Sequence, residues 1–248
     1  MIPGGDGTPF LPGALSGALD RALAPDAAAW LEQACAAVRR EAGEVDGKFA
    51  AAARRCGRGA LDVGAEAGTG MGTGTGAGVG TGTGTGTGLG TGWSVDDAVR
   101  VLLLAALPVR GAALADVVSR LYRIGGGPER RAVLRSLAVL EAVGDLGDLG
   151  LPLVEDALRC NDPRLIAAAV GPYGARGLGA HAFRQAVLKC VFVGVPLDLV
   201  TALDERADAE LDRMMADFAA ERRAAGRAVP PDVAAYLHTH RVSTEATA

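Results

Sequence analysis

The stretch Gly68–Gly92 reads GTGMGTGTGAGVGTGTGTGTGLGTG, and whether it cradles a phosphate decides between a nucleotide-binding α/β fold and a helical one. The two common phosphate loops, GxGxxG and GxxxxGK, both need glycines five residues apart. Every glycine from 68 to 92 occupies an even-numbered position, so neither pattern can occur inside the tract. No lysine follows it, no strand pattern precedes it, and collagen would need glycine at every third residue. An alternating Gly/Thr strand would sacrifice glycine's backbone freedom with almost no side chain to bury. The tract therefore reads as a flexible coil whose 25 residues span roughly 25 to 30 Å, inserted as an expanded loop.

On both sides of the tract the apolar pattern is helical. In PDAAAWLEQACAAVRREAG, Pro25 suits a first turn, and Ala28, Leu31, Cys35 and Val38 recur at three- and four-residue intervals. Shorter helices are expected over Leu15–Leu23 and Lys48–Arg55. Behind the tract, Ser94-Val95-Asp96-Asp97 supplies a capping hydroxyl and two acids for a helix that runs to about Leu107. Helices then follow over Gly111–Ile124, Pro128–Val143 with Gly144 as its stop, Leu151–Cys160, and Arg164–Val170 behind an Asp162 cap. A stripe of Phe183, Ala186, Val187, Cys190 and Val191 marks another helix, ended by Gly194. Pro196 opens the next, a long face of Ala207, Leu211, Met214, Met215 and Phe218 reaches towards Gly226, and a last helix runs from Pro231 to about Leu237.

These helices, joined by short Gly/Pro/Asp turns and without period-two alternation, predict an all-α protein. The expected architecture is an antiparallel helical bundle or a short stack of helical hairpins carrying a disordered Gly/Thr insertion. The expected segments are an N-terminal helical part (1–60), the low-complexity linker (61–93), a helical core (94–237) and a flexible tail (238–248).

The chain of 248 residues has a formal charge of −4, and its arginine pairs alternate with acids, so nucleic-acid binding is disfavoured. The longest apolar run, Val101–Val109, is far short of the roughly 20 residues a membrane span needs. No basic start with an apolar run opens the chain, and the four cysteines form no CxxC pair. A cytoplasmic protein without cofactor or metal is the expectation. His238-Thr239-His240 offers two imidazoles but no acid or cysteine at ligand spacing, and is assigned to a mobile tail. The acids from Asp204 to Glu210 are read as the wet face of a helix.

No GxSxG, HExxH or nucleophile pair appears. The most polar interruption of the pattern comprises Cys160-Asn161-Asp162, Tyr173, His181, Arg184, Gln185 and Lys189. An imidazole, a guanidinium and an ammonium in one pocket would suit a phosphorylated or carboxylate ligand. The same residues also read as a capped helix with a solvated face. Lys189 draws notice because, of 25 basic residues, only it and Lys48 are lysine.

The stretch NDPRLIAAAVGPYGARGLGAHAFRQAVLKCVFVGVPLDLV (Asn161–Val200), followed by LDERADAELDRMMADFAAERRAAGRAVP (Leu203–Pro230), resembles the EboA family. HAFRQAVLKCVFVGVPL, His181–Leu197, is its most specific part, and the Gly/Thr tract is the departure from it. The resemblance implies a gene cluster with a UbiA-type prenyltransferase, a TatD-like hydrolase, a dehydroquinate-synthase-like protein and TIM-barrel proteins, which makes or exports a small metabolite. It brings no catalytic residues. The expected function is an accessory or scaffold protein of such a cluster, holding a partner protein or an apolar intermediate. The alternative is an enzyme or binding protein for a phosphorylated polyol or sugar, acting through Arg184, Lys189 and His181.

Overall fold

The computed structural model describes residues 12–63 and 92–246, with side chains from 13 to 63 and from 92 to 240. The Gly/Thr tract, apart from Gly92, lies outside the described residues, and the expectation of a flexible coil lies outside them with it. Among the described residues the protein is mostly helical, as its pattern predicts. It divides into two compact units, Met1–Asp156 and Ala157–Ala248.

The first unit contains α1 (Pro12–Ala22), α2 (Pro25–Arg40), α3 (Val45–Cys56), α4 (Val95–Ala105), α5 (Gly111–Ile124) and α6 (Gly127–Gly144). At its centre is α4, which packs against α1, α2, α3 and α6. Nearly every residue from Val95 to Leu104 is buried, so α4 has no wet face. A helix buried on all sides must satisfy its polar residues internally, and this one carries Asp96, Asp97 and Arg100. As predicted, Ser94 caps it, its Oγ accepting from the Asp97 backbone N–H.

A small piece of sheet lies outside the sequence-based expectation. Ala60–Leu61 (β1) pairs antiparallel with Trp93–Ser94 (β2), in the register Ala60↔Ser94 and Leu61↔Trp93. The Val95 N–H continues the pair by donating to the Gly59 carbonyl (2.9 Å). Two residues per strand are too few to show an alternating pattern, but they hold the two ends of the insertion side by side. Gly144 ends α6, as its assignment as a stop expects, but without a left-handed conformation of its own. It is the last residue of α6, where a Cβ would come within 2.5 Å of Leu114 on α5. The left-handed position falls on Asp145 instead (φ 54°), so Gly144 serves close helix packing.

The second unit contains α8 (Pro163–Ala169), α9 (Pro172–Gly177), α10 (Ala180–Val193), α11 (Leu203–Arg206), α12 (Ala209–Ala224) and α13 (Pro231–Ala246), while α7 (Leu151–Arg159) runs across the division. Asp162 caps α8 by accepting from the Arg164 N–H, and Gly194 ends α10 in the left-handed region (φ 74°), both as predicted. Its core joins Phe183, Val187 and Cys190 of α10 to Leu211 and Met215 of α12 and Val233 of α13. Pro196 precedes a short 3-10 turn, Leu197–Leu199, in place of a full helix. Asp208, read as part of a wet face, is the N-cap of α12 and accepts from the Leu211 N–H (2.9 Å). The last helix continues past Leu237 to Ala246.

Candidate functional site

Tyr173, His181, Arg184, Gln185 and Lys189 all lie in the second unit, on α9 and α10. Tyr173 is buried, with the Arg176 guanidinium 5.4 Å from its ring centre. Three and four residues apart, His181, Arg184, Gln185 and Lys189 climb α10 beside the stripe that faces the core. His181 and Gln185 are exposed, whereas Arg184 and Lys189 are half-buried. Arg184 reaches Asp208 at 3.4 Å. Lys189 donates from Nζ to Asn161 Oδ1 at 2.6 Å, tying α10 to the turn before α8. The two cations thus have different protein partners, each a local oxygen acceptor.

Further along α10, Phe192 is 68% exposed. Its ring stands edge-on to Phe218 of α12, with centroids 5.3 Å apart and planes at 88°, the T-shaped arrangement favoured by aromatic quadrupoles. Arg222 lies over the Phe218 ring at 5.8 Å. Phe192 is the exposed ring of this pair and Phe218 the buried one, with a cation over the latter. Only the core-facing part of this stripe was legible as apolar spacing, because Phe192 falls one position beyond Val191, off the buried face.

Near the end of the chain, the His240 ring stacks on Tyr236 (4.2 Å). Its Nε2 lies 3.6 Å from Asp204 and its Nδ1 3.8 Å from Asp212. Tyr236 donates its hydroxyl to Asp212 at 2.7 Å, and burial together with this acceptor pushes the phenol well above its ordinary value. The expected tail is therefore helical here, and His240 is packed against α12. Among the described residues no group of three His, Cys, Asp or Glu side chains is placed to hold a metal ion.

The densest polar chemistry lies in the first unit, around α4. Arg100 is fully buried, donating from Nη1 to Asp96 (2.6 Å), from Nη2 to Glu129 (2.7 Å) and from Nε to the Phe49 carbonyl (3.1 Å). One turn away, Asp97 Oδ2 receives Arg131 Nε (2.8 Å) and Arg135 Nη1 (2.9 Å). Ser94 Oγ donates to Asp96 (2.8 Å) and accepts from Arg131 (3.3 Å). Three acids and three arginines balance in charge. Desolvation lowers the pKa of Arg135, and the neighbouring Asp97 opposes that shift. Asp97 Oδ1 is buried with no hydrogen-bond partner in the chain. In the sequence the only trace of this network is the four-residue spacing of Asp96 and Arg100 inside an otherwise apolar helix; Glu129, Arg131 and Arg135 lie too far along the chain to be matched to it.

This network does not present free cations to a ligand, because each arginine is committed to a carboxylate. It reads as a lock between α4 and α6 that also reaches the strand pair, since Arg135 donates to the Gly92 carbonyl (3.3 Å) and covers the Trp93 ring at 5.1 Å. Among the described residues no helix is long and apolar enough to cross a membrane.

No curated protein and no solved structure matches the chain. A family profile described as "Metabolite traffic protein EboA" matches residues 13–238, which includes both units and bridges the Gly/Thr tract. With most of its length matched, the chain belongs to the EboA family.

Proposed function

We propose that this protein is an accessory component of an Ebo-type secondary-metabolite cluster, cytoplasmic, which holds a partner protein of that cluster or an apolar intermediate on the α10–α12 surface. Membership of a family described by metabolite traffic supports a metabolite-related role. The observation that carries the finer reading is Phe192, a large aromatic side chain left 68% exposed on a helix whose opposite face is fully used by the core. Large exposed apolar side chains that are backed by a second aromatic mark contact surfaces more often than scattered ones do.

The test is affinity capture of the tagged full chain from cells expressing its cluster, with Phe192→Ser alongside and mass spectrometry of retained proteins and small molecules. A cluster protein or an apolar molecule held by the wild type and lost from the variant is the expected result. Equal recovery from both, or none from either, would sink this reading. The second reading, a phosphorylated polyol held by His181, Arg184, Gln185 and Lys189 beside Tyr173, predicts the reverse dependence. A phosphorylated small molecule would then be lost on Lys189→Met and kept on Phe192→Ser.

A further inference from the structure

Between α2 and α3 the first unit opens into a shallow depression of about 400 Å³. Trp30 of α2 forms one wall. The other is a face that begins at Glu44 and continues through Lys48, Ala51 and Arg55, spaced four, three and four residues apart and therefore stacked along one side of α3. The opposite side of α3, with Val45, Phe49 and Ala52, is buried in the core. Gly43 and Gly47 complete the lining. A Cβ at Gly47 would touch nothing within 4 Å, and one at Gly43 only Glu41, at 3.7 Å. Half-buried Trp30 is the one aromatic side chain in this lining.

The charges around this indole are cationic on balance. Lys48 is paired with Glu44 at 2.7 Å, while Arg55 stands exposed at the far end, giving the lining a net charge of one positive. Aromatic residues make up 4% of the chain and lysine occurs twice, so a tryptophan and a lysine sharing one depression is a specific placement for this composition. The other tryptophan, Trp93, is already covered by Arg135. An indole face offers stacking to a flat ring, and a guanidinium with an ammonium offers charge-assisted hydrogen bonds to an anionic group.

We propose that this depression binds a small planar aromatic anion, its ring stacked on Trp30 and its carboxylate or phosphate held by Arg55 and by the Lys48 N–H groups that Glu44 leaves unused. The binding is independent of the α10–α12 surface and of the function proposed for it.

The test follows the two indole N–H signals of the ¹⁵N-labelled full chain, assigned with Trp30→Phe, during titration with benzoate, phenyl phosphate and benzamide. Benzoate and phenyl phosphate are expected to move the Trp30 signal saturably and leave that of Trp93 in place. The stronger of the two identifies the anionic group. Neutral benzamide, and either anion with the Lys48→Met/Arg55→Met variant, should bind at least about tenfold more weakly, the loss expected when a charge-assisted contact is removed. No movement of the Trp30 signal up to the solubility limit would overturn the proposal. So would equal movement of both signals, equal binding of benzamide, or unchanged binding by the double variant, whose folding the dispersion of the same spectrum reports.

Discussion

The surroundings of α4 and of α10 solve the same problem in opposite ways. Each is a central helix of its unit, and each carries charged residues among apolar ones. Around α4 the charges are inside: the four polar or charged residues buried among the described ones, Asp96, Asp97, Arg100 and Ser136, all belong to the first unit. Around α10 the charges stay at the rim, where Arg184 and Lys189 reach Asp208 and Asn161, and the interior is left to Phe183, Val187 and Cys190. Specificity of packing therefore resides around α4. A buried ionic network costs desolvation and returns it only in one geometry, so it fixes how α4 meets α6. An apolar interior with rim charges tolerates more adjustment and leaves α10 free to present a side chain such as Phe192.

The contrast is tested most severely at Arg100. Arg100→Met removes the partner of Asp96 and Glu129 together and strands two carboxylates, one of them fully enclosed. A loss of about 3–5 kcal/mol in unfolding free energy is expected. Arg184→Met removes a partly exposed pair at 3.4 Å and should cost less than about 1 kcal/mol. Urea unfolding of the two variants checks this; similar losses would show that the two helices are not held in different ways.

Alkaline pH probes the apolar side of the contrast. Burial pushes the Cys190 thiol up to about 12 from an ordinary value of 9.0. Above pH 9 the unfolded chain gives up this proton while the folded chain keeps it, so the unfolded state is favoured as pH rises. The stabilisation is complete below pH 9 and is lost by about pH 12. Unfolding at pH 8 and pH 10 should therefore show a smaller alkaline loss in Cys190→Ala than in the wild type. Cys56, in the first unit, is pushed only to about 11, mainly by burial, and its contribution ends one unit sooner. Parallel slopes in wild type and Cys190→Ala would mean that the thiol is hydrated in the folded protein.

The helical fold was legible because its signals are local. Proline at Pro25 and Pro163, the caps Ser94 and Asp162, and the left-handed Gly194 each act within one turn. What escaped depends on distant partners. The strand pair joins Leu61 to Trp93 across the insertion, and Arg131 and Arg135 meet Asp97 from a helix more than thirty residues away. Gly144 was legible as a stop, but its close packing emerges only once Leu114 is seen against it. Of the candidate site, His181, Arg184, Gln185 and Lys189 lie on α10, a helix legible from its apolar stripe. Asn161, the acceptor of Lys189, belongs to the same polar region of the sequence, whereas Asp208, the acceptor of Arg184, comes from a segment read only as a wet face. Phe192 was hidden for a different reason: an exposed aromatic one step off an apolar stripe has the same local pattern as a buried one.

The smallest effect should come from shortening the Gly/Thr tract. Leu61 and Trp93 are paired, and 31 residues, 62 to 92, lie between them in the sequence. The Gly59–Val95 hydrogen bond and the Arg135 contacts to Gly92 and Trp93 hold the strand pair from the first-unit side. Closing a flexible loop becomes easier as it shortens, by about 0.6 kcal/mol per halving. Deleting residues 70–90 leaves about ten residues between the strands, and the same relation gives a gain of about 1 kcal/mol. The expected thermal melt is therefore unchanged or slightly higher, with the Arg100→Met penalty intact in the shortened background. A clear fall in melting temperature would show that the deleted residues contribute to packing, and that α4 is held by more than its ionic lock and the strand pair.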